Sequence, residues 1–220
     1  MIPLRDVIPT RTTPWVTLSL VALNVAVFGR WVLVPADDPY ADAFLFRWGL
    51  VAADRWWPGV VTSLFVHTSL LHLGTNVLAL WIYGENVEDR LGHGRFLLLY
   101  LATGALAAGA DALLAPAGPV LLTGANGAIA GVMGAYLILF PRSKVLVLVP
   151  LIVTRDVVEI SALFVVCAWL AVQVMGDFVH PVGTFPRLAI GLHGGGLAAG
   201  TVLVLALRRR ARERVEWWGG

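Results

Sequence analysis

Long apolar runs, separated by short polar stretches rich in Gly and Pro, set the pattern of this 220-residue chain. A helix rises ~1.5 Å per residue and the hydrocarbon layer is ~30 Å thick, so a crossing needs about 20 mostly apolar residues. Six windows meet that length: Trp15 to Val34, Val60 to Tyr83, Phe96 to Ala115, Val120 to Phe140, Val157 to Met175, and Leu188 to Leu207. The spacing predicts an all-α polytopic membrane protein, a bundle of six transmembrane helices. The apolar run from Val145 to Val153, flanked by Pro141, Arg155 and Asp156 and interrupted at Pro150, is too short to cross and is expected to be an interfacial or packed connector. Between the first two windows, Pro35 to Gly59 mixes Asp37, Asp38, Asp42 and Asp54 with Phe44, Leu45, Phe46 and Trp48, as in a segment lying partly in the membrane interface. The domain plan is a cytoplasmic N-terminal segment at 1–14, a membrane domain at 15–207 and a basic cytoplasmic tail at 208–220. The opening Met1 to Asp6 has no apolar stretch ending in a small-residue cleavage site, so the first window is expected to remain in the mature protein.

Composition narrows the class. Hydrophobic residues make up 58% and charged residues 14%, and the mean hydropathy is +0.79. Soluble domains carry about 45–50% apolar and about 25% charged residues, so this chain cannot clothe a water-facing surface, and it is far too apolar for disorder. A net charge of +2 gives no case for nucleic acid as a partner; the lipid bilayer is the expected surroundings. Twelve Lys and Arg (Arg5, Arg11, Arg90, Arg95, Arg142, Lys144, Arg155 and the cluster Arg208, Arg209, Arg210, Arg212, Arg214) fall on the side shared by both termini, against Arg30, Arg47, Arg55 and Arg187 opposite. That bias places both termini in the cytoplasm, here of a bacterial cytoplasmic membrane, with the Arg208 to Arg214 cluster as a stop-transfer anchor. Trp15, Trp31, Trp48, Trp56, Trp57, Trp217 and Trp218 fall at or beyond the span ends, where they suit interfacial anchoring. The single Cys167 excludes an internal disulfide and a Cys-based zinc site.

Polar side chains at membrane depth are costly, so they mark where function is to be sought. They concentrate in three windows: His67, Thr68, Ser69, His72, Thr75 and Asn76 in the second, Gly124-Ala125-Asn126-Gly127 at the start of the fourth, and His193 with its glycines in the sixth. On one continuous helix His72 and Asn76 share a face, while His67 lies about 140° around and caps the group from nearer the surface. Gly127, Gly131 and Gly134 face Gly191, Gly195, Gly196 and Gly200 in spacing, so the fourth and sixth spans are expected to pack closely.

These residues carry a resemblance. Thr62, Phe65, His67, His72 and Asn76, then Gly84, Glu88 and Gly92, then Gly124-Ala125-Asn126-Gly127-Ala128-Ile129, then His193 before a glycine stripe, resemble the rhomboid intramembrane serine proteases. The resemblance implies a six-helix core whose Ser-His dyad cleaves transmembrane substrates near the outer interface. It assigns His193 as general base and His72 and Asn76 as oxyanion-stabilising side chains, with His67, Gly124 and Gly127 lining the substrate site. The pattern departs at Asn126, which stands where the family has its serine nucleophile, and at Pro58 and Gly59, where a Trp-Arg pair is often found. A hydroxyl can lose its proton to an imidazole and attack a carbonyl; an amide nitrogen, its lone pair delocalised, cannot readily do so. The expectation is a pseudoprotease that binds transmembrane protein segments. The alternatives are an active serine endopeptidase in which Asn126 is an engineered or erroneous substitution, and a small-solute transporter or channel.

Blander readings accompany each residue. Asn126 suits a helix N-cap bonded to His193; Ser63 and Thr123 are weak candidates as replacement nucleophiles; His67, His72 and His193 are not phased to hold a metal, and no cofactor or metal is expected. Asp111 is expected to be solvated near a span end and Glu159 interfacial. Glu85, Glu88 and Arg90 are read as a surface charge network, and His93 and His180 as solvated loop residues.

Overall fold

The computed structural model describes residues 2–35, 38–52, 58–115, 120–150, 155–179 and 186–208. Asp37, Asp54, Trp56, Trp57, His180, Trp217, Trp218 and the arginines from Arg209 to Arg214 lie outside the described residues. Helix dominates. The first and third apolar windows form α1 (Trp15–Val32) and α6 (His93–Leu114), both long and apolar enough to cross a membrane. The second window is not one rod. A short α3 (Gly59–Thr62) and a tight turn at Ser63–Phe65 meet α4 (Leu70–Ala79) at a 95° bend, and the helix runs on through a widened turn at Leu80–Gly84 into α5 (Glu85–Leu91). At the break Val66 is extended and the Ser69 side chain accepts from the His72 N–H at 3.1 Å, capping α4. The hydroxyl replaces a backbone acceptor that the bend removes. Taken as one broken span, the bent pair is a third candidate crossing, and apolar helices occupy the remaining windows: α7 (Asn126–Leu139), α8 (Ala162–Val179) and α9 (Pro186–Leu207).

The expectation of an all-helical chain is corrected by two small antiparallel sheets. The run taken as a connector is strand β4 (Lys144–Pro150), flanked by β1 (Ile2–Asp6) and β5 (Arg155–Ser161) in the order β1-β4-β5. Alternation explains it: Val145 and Val147 are buried on one face, and β-branched residues favour the pleated sheet. The fifth window accordingly loses its beginning, since Val157 to Ser161 is strand and the helix starts at Ala162. Between α1 and α3, the interfacial stretch forms α2 (Pro39–Trp48), capped by the Asp38 carboxylate on the Tyr40 N–H, and then β2 (Leu50–Val51), which pairs with β3 (Leu121–Leu122). Thr62 Oγ1 donates to the Trp48 carbonyl at 2.8 Å. This segment therefore docks on the start of the second window and the approach to α7 without a Trp-Arg pair.

Of the residues read as a surface charge network, Arg90 is exposed, whereas Glu88 is instead the centre of a clamp that seats the N-terminal segment. Glu88 is 0% exposed. One of its oxygens accepts from the Val16 N–H at 2.9 Å and from the His93 ring, and the other from the Thr17 N–H at 2.7 Å and Thr17 Oγ1 at 2.6 Å. Pro14 at the cap of α1 offers no side-chain acceptor, so a carboxylate from α5 satisfies the first-turn N–H groups and meets the positive end of the helix. His93 thus starts α6 rather than lying in a loop, and its half-exposed ring is a partner of Glu88. Asp89 accepts from Arg11 and Thr12, and buried Asp6 accepts from Asn86 Nδ2 and the Tyr136 hydroxyl, each at 2.7 Å. Burial pushes the Asp6 carboxyl above its ordinary value, against the lowering pull of these donors. Asp111, expected to be solvated, is buried on α6; Glu159 pairs with Lys144 on the exposed sheet at 2.9 Å.

The close packing expected of the fourth and sixth windows is made by Gly196 and Gly200, whereas Gly195 is exposed with no neighbour within 4 Å. A Cβ on Gly196 or Gly200 would fall onto the backbone carbonyls of Gly127 and Gly131, and one on Gly134 onto that of Leu197. The backbones of α7 and α9 touch there because neither carries a side chain.

Candidate functional site

Gly124 opens the site. Its φ of 102° is accessible to few residues other than glycine, and its N–H donates to the Ser63 carbonyl at 2.9 Å, tying the approach to α7 onto the bend in the second window. Its bare Cα also makes room, because a Cβ there would collide with the His72 ring. The turn thus delivers Asn126, first residue of α7, to His72. Asn126 Oδ1 lies 3.0 Å from His72 Nε2, which donates to it when the ring proton is on Nε2. The expected cap role passes to neighbouring Ala125, which occupies the cap position without a side-chain bond.

His67 and Asn76 form a second pair behind the first. Asn76 Nδ2 lies 3.1 Å from His67 Nε2, and the His67 and His72 rings meet edge-on with centroids 4.9 Å apart. The pairing differs from that expected of a continuous helix. There His72 and Asn76 would share a face and His67 would turn away; the break between Phe65 and Leu70 cancels that phase and folds His67 back onto α4. His67 and Asn76 are 1% and 2% exposed, and Ser63 1%; Asn76 Oδ1 and Ser63 Oγ have no hydrogen-bond partner among the described residues.

His193 is buried on α9, one turn before Gly196 and its contact with Gly127. Sequence reasoning missed its partners on α8. The Trp169 and His193 ring centroids are 5.5 Å apart at 68°, and Gln173 Nε2 lies 3.4 Å from His193 Nε2. Trp169 and Gln173 are four residues apart, hence on one helical face, and Gln173 is an amide in an apolar window. That was a usable signal. Trp169 also lines a cavity of about 410 Å³ between α4, α8 and the sheet, with Thr75, Ile82, Met133 and Val147 among its walls. Among the described residues no group of three or more His, Cys, Asp or Glu side chains is placed to hold a metal ion.

The Rhomboid domain model matches residues 53–210. Rhomboid protein 1, mitochondrial, of Saccharomyces cerevisiae is 37% identical over 140 residues, 60% of this chain and 38% of that protein. Rhomboid protease GluP of Bacillus subtilis is 42% identical over 88 residues, 40% of this chain and 17% of that protein. Presenilin-associated rhomboid-like protein A, mitochondrial, of Danio rerio is 32% identical over 139 residues, 61% of this chain and 35% of that protein. The chain thus spans well under half the length of each of these relatives.

Proposed function

Because the chain belongs to the rhomboid family of integral membrane proteins, we propose that it is an intramembrane serine peptidase scaffold whose nucleophile position is held by Asn126. On this reading it binds transmembrane protein segments and cleaves them poorly or not at all. The observation that carries the reading is the 3.0 Å contact of His72 Nε2 with Asn126 Oδ1. In a working site a ring N–H at that place would donate to the oxyanion of a peptide carbonyl under attack. Here it donates to a side-chain carbonyl of the protein itself, while the amide nitrogen has no nucleophilic lone pair to offer.

The roles follow from this arrangement. His72 is the oxyanion donor, the His67–Asn76 pair fixes its ring from behind, Gly124 and Gly127 provide the backbone a partner segment lies against, and His193 is the base. A partner that reaches Asn76 Oδ1 or Ser63 Oγ must offer polar groups, which a transmembrane helix does only where it is unwound. The excess of basic residues on one side supports both termini being cytoplasmic; on this reading the membrane domain at 15–207 lies in a bacterial cytoplasmic membrane between a short N-terminal segment and the basic tail.

The test is cleavage of transmembrane substrates by the purified chain and by its Asn126→Ser variant, each also treated with a serine-reactive phosphonate. The chain as it stands gives neither product nor label; Asn126→Ser gives both, and loses them on His193→Ala. Robust cleavage by the unaltered chain, or silence of Asn126→Ser, overturns the reading.

A further inference from the structure

We propose that the cavity of about 410 Å³ between α4, α8 and the sheet is a groove that holds one acyl chain of a membrane lipid. Its walls set the chemistry. They carry no charged side chain and no amide among the described residues, and the Thr75 hydroxyl already donates to the His72 carbonyl at 3.0 Å. A space lined in this way stays dry, and left empty it forfeits the contacts its lining atoms could make. At membrane depth the filler at hand is hydrocarbon.

The mouth of the groove is continuous with lipid-facing surface. Phe164, Ala168 and Val172 follow one another four apart along α8 and all three are exposed, Phe164 by 60% and Val172 by 66%. Leu163 and Met175 extend that exposed surface along the helix. Helix α8 packs on α9 and on the sheet more than on α4, and helices in lipid feel no hydrophobic force that would draw them together across a gap. The space therefore stays open.

Length selects a lipid chain over a partner helix. From Phe164 to Val172 the helix rises about 12 Å, whereas a partner crossing the bilayer is a rod ~30 Å long and ~10 Å thick. Pro3, Val147 and Ile160 of the sheet close the groove where α8 begins, so a rod laid along α8 would run into the strands. A flexible chain that ends inside the groove does not. On the orientation proposed above the sheet end lies in the inner leaflet, and the chain enters there with its methyl end toward Trp169; this direction rests on that reading, the groove does not. Trp169 is the wall shared with the candidate site, its ring centroid 5.5 Å from that of His193.

The experiment reconstitutes the full chain in liposomes containing a phosphatidylcholine with a diazirine in mid-chain, irradiates them, and maps the crosslinks by mass spectrometry. Label is expected on Thr75, Leu78 and Trp169, which are set back from the surface, as well as on exposed Leu106 and Leu113 of α6, which report bulk lipid. Ala168→Trp and Val172→Trp, which fill the mouth at two heights, each remove most of the groove label and leave that on α6. Label confined to outward faces, or groove label indifferent to both substitutions, overturns the proposal. So does displacement of the groove label by an equimolar transmembrane peptide that crosslinks there in its place, which would make the groove a helix-docking face. The readout needs no peptidase activity, so a silent Asn126→Ser variant leaves the lipid site standing.

Discussion

Two buried polar clusters in this molecule are built in opposite ways. In the N-terminal clamp every carboxylate is engaged: Glu88 by two backbone N–H groups, a hydroxyl and an imidazole, Asp89 by Arg11 and Thr12, and Asp6 by an amide and a phenol. In the candidate site the amides and imidazoles meet in pairs, His72 with Asn126, His67 with Asn76 and Gln173 with His193, and Asn76 Oδ1 and Ser63 Oγ are left over. A saturated network admits one geometry and serves the fold. Neutral pairs with spare capacity are cheaper to break, and can exchange an internal partner for a peptide group or water.

The sharpest way to break the comparison is Glu88→Ala. It strands the first-turn N–H groups of α1 and the His93 ring, and lowers stability by about 3 kcal/mol or more; thermal unfolding in detergent reads the loss, and a shift of less than a third of that would erase the distinction. Next comes Gly200→Val, which drives a side chain into the Gly131 carbonyl and separates α7 from α9. Overpacking of this kind costs about 2 kcal/mol, and it should also abolish any activity recovered in Asn126→Ser.

Asp6 sharpens the contrast through pH. Its carboxyl is raised from 3.8 in the folded state, so the stability it contributes is complete below 3.8 and is lost as pH rises through the folded value. Asp6→Asn keeps an oxygen for Asn86 and Tyr136 and carries no such dependence. The melting temperature of the unaltered chain, relative to that variant, should fall across this window; parallel curves would mean that folding leaves the Asp6 carboxyl unshifted, and a rise that it is stabilised as the anion. The smallest effect is expected in the site itself, where Asn76→Ala should cost about 1 kcal/mol or less, as interhelical hydrogen bonds in membranes generally do. A loss matching that of Glu88→Ala would show the site to be as structural as the clamp.

By itself the sequence determined the solvent and the packing stripe. Both depend on local quantities: the length of apolar runs, and small residues four apart on helices that lipid forces to satisfy their own backbones. It also marked His67, His72, Asn76, Asn126 and His193, because polar groups are conspicuous in apolar windows. Only the tertiary structure decided which of them pair. The bend after Phe65 changed the partner of Asn76, and the contact of α8 with α9 brought Gln173 to His193. Pairing with β1 and β5 made a strand of an apolar run that was long enough for several roles. Glu88 had the same cause: read along the chain it is a charge among charges, and it becomes a cap only when the first turn of α1 is laid against it, a contact between residues more than 70 apart in sequence.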